Sequence, residues 1–167
     1  MRSIVALFFL VWVTFSGSPS CLADSGATAA FDKVKSLAGD WQGKDEDGQP
    51  AKLTYEVTSG GTAVMERLTP GEHPAMITMY HMDGDRLMAT HYCARNNQPR
   101  MAAKGIDPAT GTIVFNFIDA TNLASPTTGH MRDLTLKVPD NNHVTQEWSW
   151  HEGDQNTASI FKFERQK

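Results

Sequence analysis

From Trp41 onward, apolar and polar residues alternate with a period of two, the spacing of a strand that shows one face to a core and the other to water. In KLTYEVTS, Leu53, Tyr55 and Val57 share one side, and Lys52, Thr54 and Glu56 the other. Gly60-Gly61 makes a tight turn into TAVMERL, and a two-residue loop there sets Val57 opposite Val64, Tyr55 opposite Glu66 and Leu53 opposite Leu68. Turn signals at MDGDR, DPATG, PDNN and HEGDQN separate TIVFNFID, HMRDLTLKV, HVTQEWSW and TASIFKFER, each of strand length and rich in β-branched or aromatic residues. About ten strands joined as hairpins predict an all-β fold, a single antiparallel up-and-down barrel, because closure removes the edges that an open sheet of that size would expose. One short helix precedes it: in FDKVKSLAGDW, Phe31, Val34 and Leu37 recur at helical spacing before Gly39. The longest connection, DATNLASPTTG (119–129), is read as a helical turn or a loop over one barrel mouth.

The segment ahead of the helix has a different character. Arg2, the apolar run Ile4 to Phe15 and the small residues of SGSPSCLADS form the three regions of a secretory signal peptide, too short for a span of ~20 apolar residues. Residues 1–23 are therefore read as removed, with cleavage after Ala23, residues 24–30 as a flexible lead and residues 31–167 as one barrel domain. Acylation at Cys21 would require an aliphatic residue ahead of it, where SPS stands, so lipoprotein anchoring is not expected. The chain carries 15 basic and 19 acidic residues. Losing Arg2 deepens the net charge from −4 to −5, which makes nucleic acid a poor partner. Of two cysteines only Cys93 survives processing, so stability must come from the core rather than from a bridge. The expected location is periplasmic or extracellular.

SLAGDWQG, a short helix running into Gly-x-Trp at the first strand, resembles the opening of the lipocalin and fatty-acid-binding superfamily of calycin barrels. The longer stretch from Gly60 to Met101, together with HVTQEWSW, resembles an uncharacterised family of secreted bacterial calycin-like barrels over nearly all of the mature chain. That resemblance implies a barrel and an exported location, and no established activity. Related barrels of the nitrobindin type hold haem through a histidine, which would make His91 or His130 the axial ligand here.

The inward face carries the candidate chemistry. Glu66 falls between Val64 and Leu68, and a buried carboxylate demands donors or a cation, because desolvation alone costs several kcal/mol. The hairpin YHMDGDRLMATHYC admits two registers. A two-residue Asp83-Gly84 turn places Thr78 and Tyr80 on one interior wall with His91 and Cys93, whereas a three-residue loop pairs His81 with Leu87; Asp-Gly favours the first. In ARNNQPR, Gln98 or Arg100 could reach inward to answer Glu66 or to clamp a ligand carboxylate. His130 and Arg132 share parity with Leu134 and Leu136, and Gln146 and Trp148 with Val144. His91-x-Cys93 supplies at most two metal ligands from one strand, so no metal site is expected. Together Glu66, Tyr80, His91, Cys93, Gln98, Arg100, His130, Arg132, Gln146 and Trp148 read as the lining of a cavity for a small, partly apolar molecule carrying an anionic group. Three other readings stay open: a haem barrel, an enzyme using Glu66, Tyr80 and His91 for acid–base work, or a filled structural barrel whose polar residues satisfy one another.

Overall fold

The computed structural model describes residues 26–167; the residues read as a signal peptide, Cys21 among them, and the first residues of the lead lie outside these. Helix α1 (Gly26–Lys35) is followed by strands β1 (Gly39–Asp45), β2 (Pro50–Thr58), β3 (Ala63–Pro70), β4 (Met76–Asp83), β5 (Arg86–Tyr92), β6 (Gln98–Ala103), β7 (Ile106–Asp107), β8 (Thr112–Thr121), β9 (His130–Lys137), β10 (His143–Glu152) and β11 (Gln155–Arg165). All neighbours pair antiparallel, β1 pairs with β11, and a β6–β8 pairing completes the ring. The two-residue β7 adds only to β8 and stands outside it. The fold is thus a closed ten-stranded up-and-down barrel with one helix before it, as the alternation predicts.

Interior positions follow the period of two. Leu53 and Tyr55 from β2, Val64 and Leu68 from β3, Leu87 and Ala89 from β5, Ile113 and Phe115 from β8, Leu134 and Leu136 from β9, and Phe161 and Phe163 from β11 are all buried. At Gly43 a Cβ would sit 1.9 Å from the Lys162 carbonyl, so only glycine lets β1 lie this close to β11. The β2–β3 register matches the sequence expectation: Val57 opposes Val64, Tyr55 opposes Glu66 and Leu53 opposes Leu68.

Helix α1 begins at Gly26, so residues 26–30, assigned above to the flexible lead, are its first turns. Ala27 and Ala30 are fully buried, and Phe31 and Val34 join the core. Small residues let the helix settle against the ends of β4, β5 and β7, and it closes the mouth at which the β4–β5 hairpin turns. The joint after it is clasped. Arg165 donates to the carbonyls of Ser36, Ala38 and Asn141, and its guanidinium lies 4.2 Å from the centre of the Trp41 ring. Trp41 Nε1 in turn donates to the Leu37 carbonyl at 2.9 Å.

A shift of register and a bulge decide the site. The β4–β5 turn is Gly84-Asp85, with Gly84 at φ 61°, rather than Asp83-Gly84. Faces are kept but pairing slides by two, so Thr78, not Met76, stands opposite His91, and Tyr80 opposes Ala89. In β9 a bulge sets Trp148 opposite Leu134 but Trp150 opposite Met131. An extra residue in one strand reverses the sidedness of what precedes it. Met131 therefore packs against the core, while His130 and Arg132 join Phe117 and His151 along an outer groove beneath the loop at Leu123–Pro126.

Candidate functional site

At mid-barrel the polar interior residues meet around Glu66, which is fully buried. Its Oε2 accepts from the Tyr80 hydroxyl at 2.7 Å and from Gln146 Nε2 at 2.8 Å. Its Oε1 accepts from the Thr78 hydroxyl at 3.3 Å. Gln146 Nε2 also donates to the Tyr55 hydroxyl, and Gln146 Oε1 accepts from Trp148 Nε1, both at 2.9 Å. Burial pushes the Glu66 carboxyl above its ordinary value, and the donors Tyr80, Tyr55, Thr78 and Gln146 pull it back. Burial and the neighbouring carboxylate hold both tyrosines well above theirs, so they remain donors.

The network continues to His91. Its Nδ1 lies 3.0 Å from the Thr78 hydroxyl. A hydroxyl has one proton; with that proton directed to the Glu66 carboxylate, Thr78 accepts from Nδ1–H, and Nε2 is left with its lone pair. His91 is 1% exposed, and Nε2 has no partner among the described residues. Burial lowers the imidazole to about 4, so it is neutral near pH 7. The ring rests against Trp148, 4.7 Å between centres.

His91 and Trp148 form the inner end of a pocket of about 270 Å³ at the mouth opposite the helix. Leu68, Met76, Met131 and Phe161 supply its apolar walls, and Asp45, Glu46, Asp47 and His73 its rim. A shallower depression of about 430 Å³ adjoins it across Pro70, Met76, Met131 and Ser159, bringing in Cys93, Arg95 and Trp150.

Of the predicted site residues, Glu66, Tyr80, His91, Gln146 and Trp148 converge as expected. The others do not. Cys93 lies past the end of β5, half-buried in the turn at the open mouth, its thiol pushed up by burial. Pro99 and Met101 take the inward positions of β6, so Gln98 and Arg100 face out, where Gln98 accepts from Thr121 and Arg100 forms a two-point pair with Asp119. Arg132 lies outside across the bulge, over Phe117, and His130 donates through Nδ1 to the Thr128 carbonyl on the same flank. Among the described residues no interior guanidinium answers Glu66; hydroxyls and an amide do. Thr78 and Tyr55 were recoverable from the sequence, since the register already put Tyr55 opposite Glu66. Met131 was hidden by the bulge, and the acidic rim read only as turn residues.

Among solved structures, the chain is similar to a protein of unknown function from the DUF3598 family of Nostoc punctiforme, at 12% identity and a TM-score of 0.53. The match covers 80% of this chain and 49% of that one. The chain thus spans about half the length of that neighbour, and the likeness is one of fold. No protein-family model and no curated protein matches the chain.

Replacing Glu66 by leucine strands the donors of Tyr80, Gln146 and Thr78, each unmet polar group costing ~1–3 kcal/mol. Urea denaturation should show Glu66→Leu less stable by about 3–5 kcal/mol and Glu66→Gln, which keeps a carbonyl acceptor, by no more than about half of that. Equal losses would mean the network contributes little. His91 titrates near 4 when folded against 6.5 when unfolded, so the unfolded chain binds more protons between those values. Stability contributed by neutral His91 is present above pH 6.5 and is lost as pH falls toward 4, up to ~3 kcal/mol at 1.36 kcal/mol per unit. Glu66, raised, acts oppositely, losing stability as pH rises above 4.5. The difference between wild type and His91→Gln in denaturation midpoints from pH 7 to pH 4 isolates the histidine; parallel profiles would contradict the assignment.

Proposed function

We propose that the protein is an exported, lipocalin-like barrel that binds a small molecule at its open mouth. The observation that carries this reading is His91 Nε2, a buried ring nitrogen without a partner among the described residues at the inner end of a pocket with apolar walls. An unmet buried polar atom costs free energy in the empty state, and a ligand donor placed there recovers it. His130 Nε2 and Asn97 Oδ1 are also buried without a partner among the described residues, but only His91 lines this pocket. The interior above it is another matter: Glu66 and its partners are satisfied, so the ligand belongs at the mouth and not deep in the barrel as an alternating pattern suggests. Export rests on the composition of residues 1–23; among the described residues no helix is long and apolar enough to cross a membrane.

The volume of about 270 Å³ lies just under the range of ~300–1,000 Å³ usual for drug-sized ligands. It suits a molecule of few heavy atoms, or one end of a larger one whose remainder rests in the adjoining depression. This geometry does not favour haem. The space at His91 is too small for a macrocycle, and His130 is only 2% exposed beneath Phe117 and His151. Acid–base catalysis is not favoured either: Glu66 and Tyr80 lie behind His91, out of reach of anything in the pocket.

Full-length chain expressed in a Gram-negative host should be recovered from the periplasm starting at Asp24. A fragment screen read by amide shifts should then yield hits that move His91 and Trp148 and are lost in Met131→Trp, which fills the mouth. Hits unaffected by that substitution, or a screen without hits at these residues, would contradict the reading.

A further inference from the structure

We propose that the mouth pocket selects a small organic cation with an N–H donor, an alkyl- or aralkylammonium; this rests on the mouth being the ligand site. Four features converge on that chemistry. First, Nε2 of His91 is an acceptor when Thr78 takes the Nδ1 proton, so the group that meets it must donate. Second, the imidazole is neutral near pH 7, so a cation can approach it without repulsion. Third, the titratable groups around the pocket are Asp45, Glu46, Asp47, His73 and His91, and neither lysine nor arginine lines it. The three rim carboxylates form no ion pair among the described residues. Their structural duties leave the charge intact: Asp45 Oδ1 accepts from the amides of Asp47 and Gln49, and Glu46 Oε2 from the amide of Ile160. Fourth, Trp148 and Phe161 line the same pocket, and aromatic faces attract an ammonium group. Arg95 belongs to the adjoining depression, where it lies over Trp150 and near Glu152. The anionic ligand expected from the sequence depended on Arg100 and Arg132 facing inward, and both face out.

Binding is measured by NMR titration of the mature chain at pH 7 with three isosteric probes: benzylammonium, benzyl alcohol and benzoate. Benzylammonium should shift the His91 ring and Trp148 indole resonances saturably, with an affinity about tenfold above benzyl alcohol, a margin that corresponds to cation–π and charge contributions of 1.4 kcal/mol. Benzoate should leave them unmoved. Glu46→Gln with Asp47→Asn keeps the hairpin acceptor at Asp45 and the amide partner of Ile160. It should weaken benzylammonium roughly three- to tenfold, as loss of partly screened charges does, with benzyl alcohol unchanged. Benzyl alcohol or benzoate binding at His91 as tightly as the amine would overturn the cation selectivity while leaving the mouth as a binding site. Silence of His91 toward all three would overturn the cation proposal, and the fragment screen then judges the mouth itself.

Discussion

A carboxylate sealed in the middle of an apolar barrel sets the terms for everything around it. Glu66 cannot be hydrated, and among the described residues no cation pairs with it, so its carboxyl group must be held by donors from neighbouring strands: Tyr80 and Thr78 from β4 and Gln146 from β10. Those donors are fixed in number and direction. Gln146 is bound on both ends, by Tyr55 and Trp148 as well as by Glu66, which ties opposite walls of the barrel across its axis. Apolar packing alone would tolerate sliding of one wall against another; a network with one satisfied geometry does not.

The same constraint has a functional end. Because the Thr78 proton is directed to Glu66, the Nδ1 proton of His91 is directed to Thr78, and the free electron pair of the ring is presented where the barrel opens. A histidine placed on that wall without the Thr78 link could adopt either tautomer and serve either a donor or an acceptor. The barrel therefore has two unlike ends. One is closed by α1 with alanine and phenylalanine contacts and clasped by Arg165; the other carries apolar walls, an acidic rim and the unpartnered Nε2 of His91.

Much of this architecture is legible in the sequence because it depends on period-two alternation and on glycine turns, both local. The strand count, the β2–β3 register and the shared inward face of Glu66, Tyr80, His91 and Gln146 follow from parity together with the turns. Parity fails at an inserted residue. The bulge in β9 exchanges Met131 for His130 and Arg132, and with it the sign of the charge expected near the ligand. The slide of the β4–β5 turn by two residues preserves every face, so it was silent in the alternation, yet it is what brings Thr78 rather than Met76 to His91. Gln98 and Arg100 were misplaced for a different reason: Pro99 and Met101 supply the inward positions of β6, and Asp119 on β8 gives Arg100 an outward partner that no local pattern reveals.

The central claim is that Glu66, through Thr78, holds His91 as a neutral ring with its outer nitrogen unprotonated. Nitrogen-15 NMR of residues 24–167, with histidine labelled in both ring positions, reads this directly at pH 7. The account predicts a protonated Nδ1 and a bare Nε2 for His91, with Nε2 gaining a proton in place of Nδ1 when Thr78 is replaced by valine. A ring protonated at Nε2 in the wild type, or an imidazolium at that pH, would contradict it.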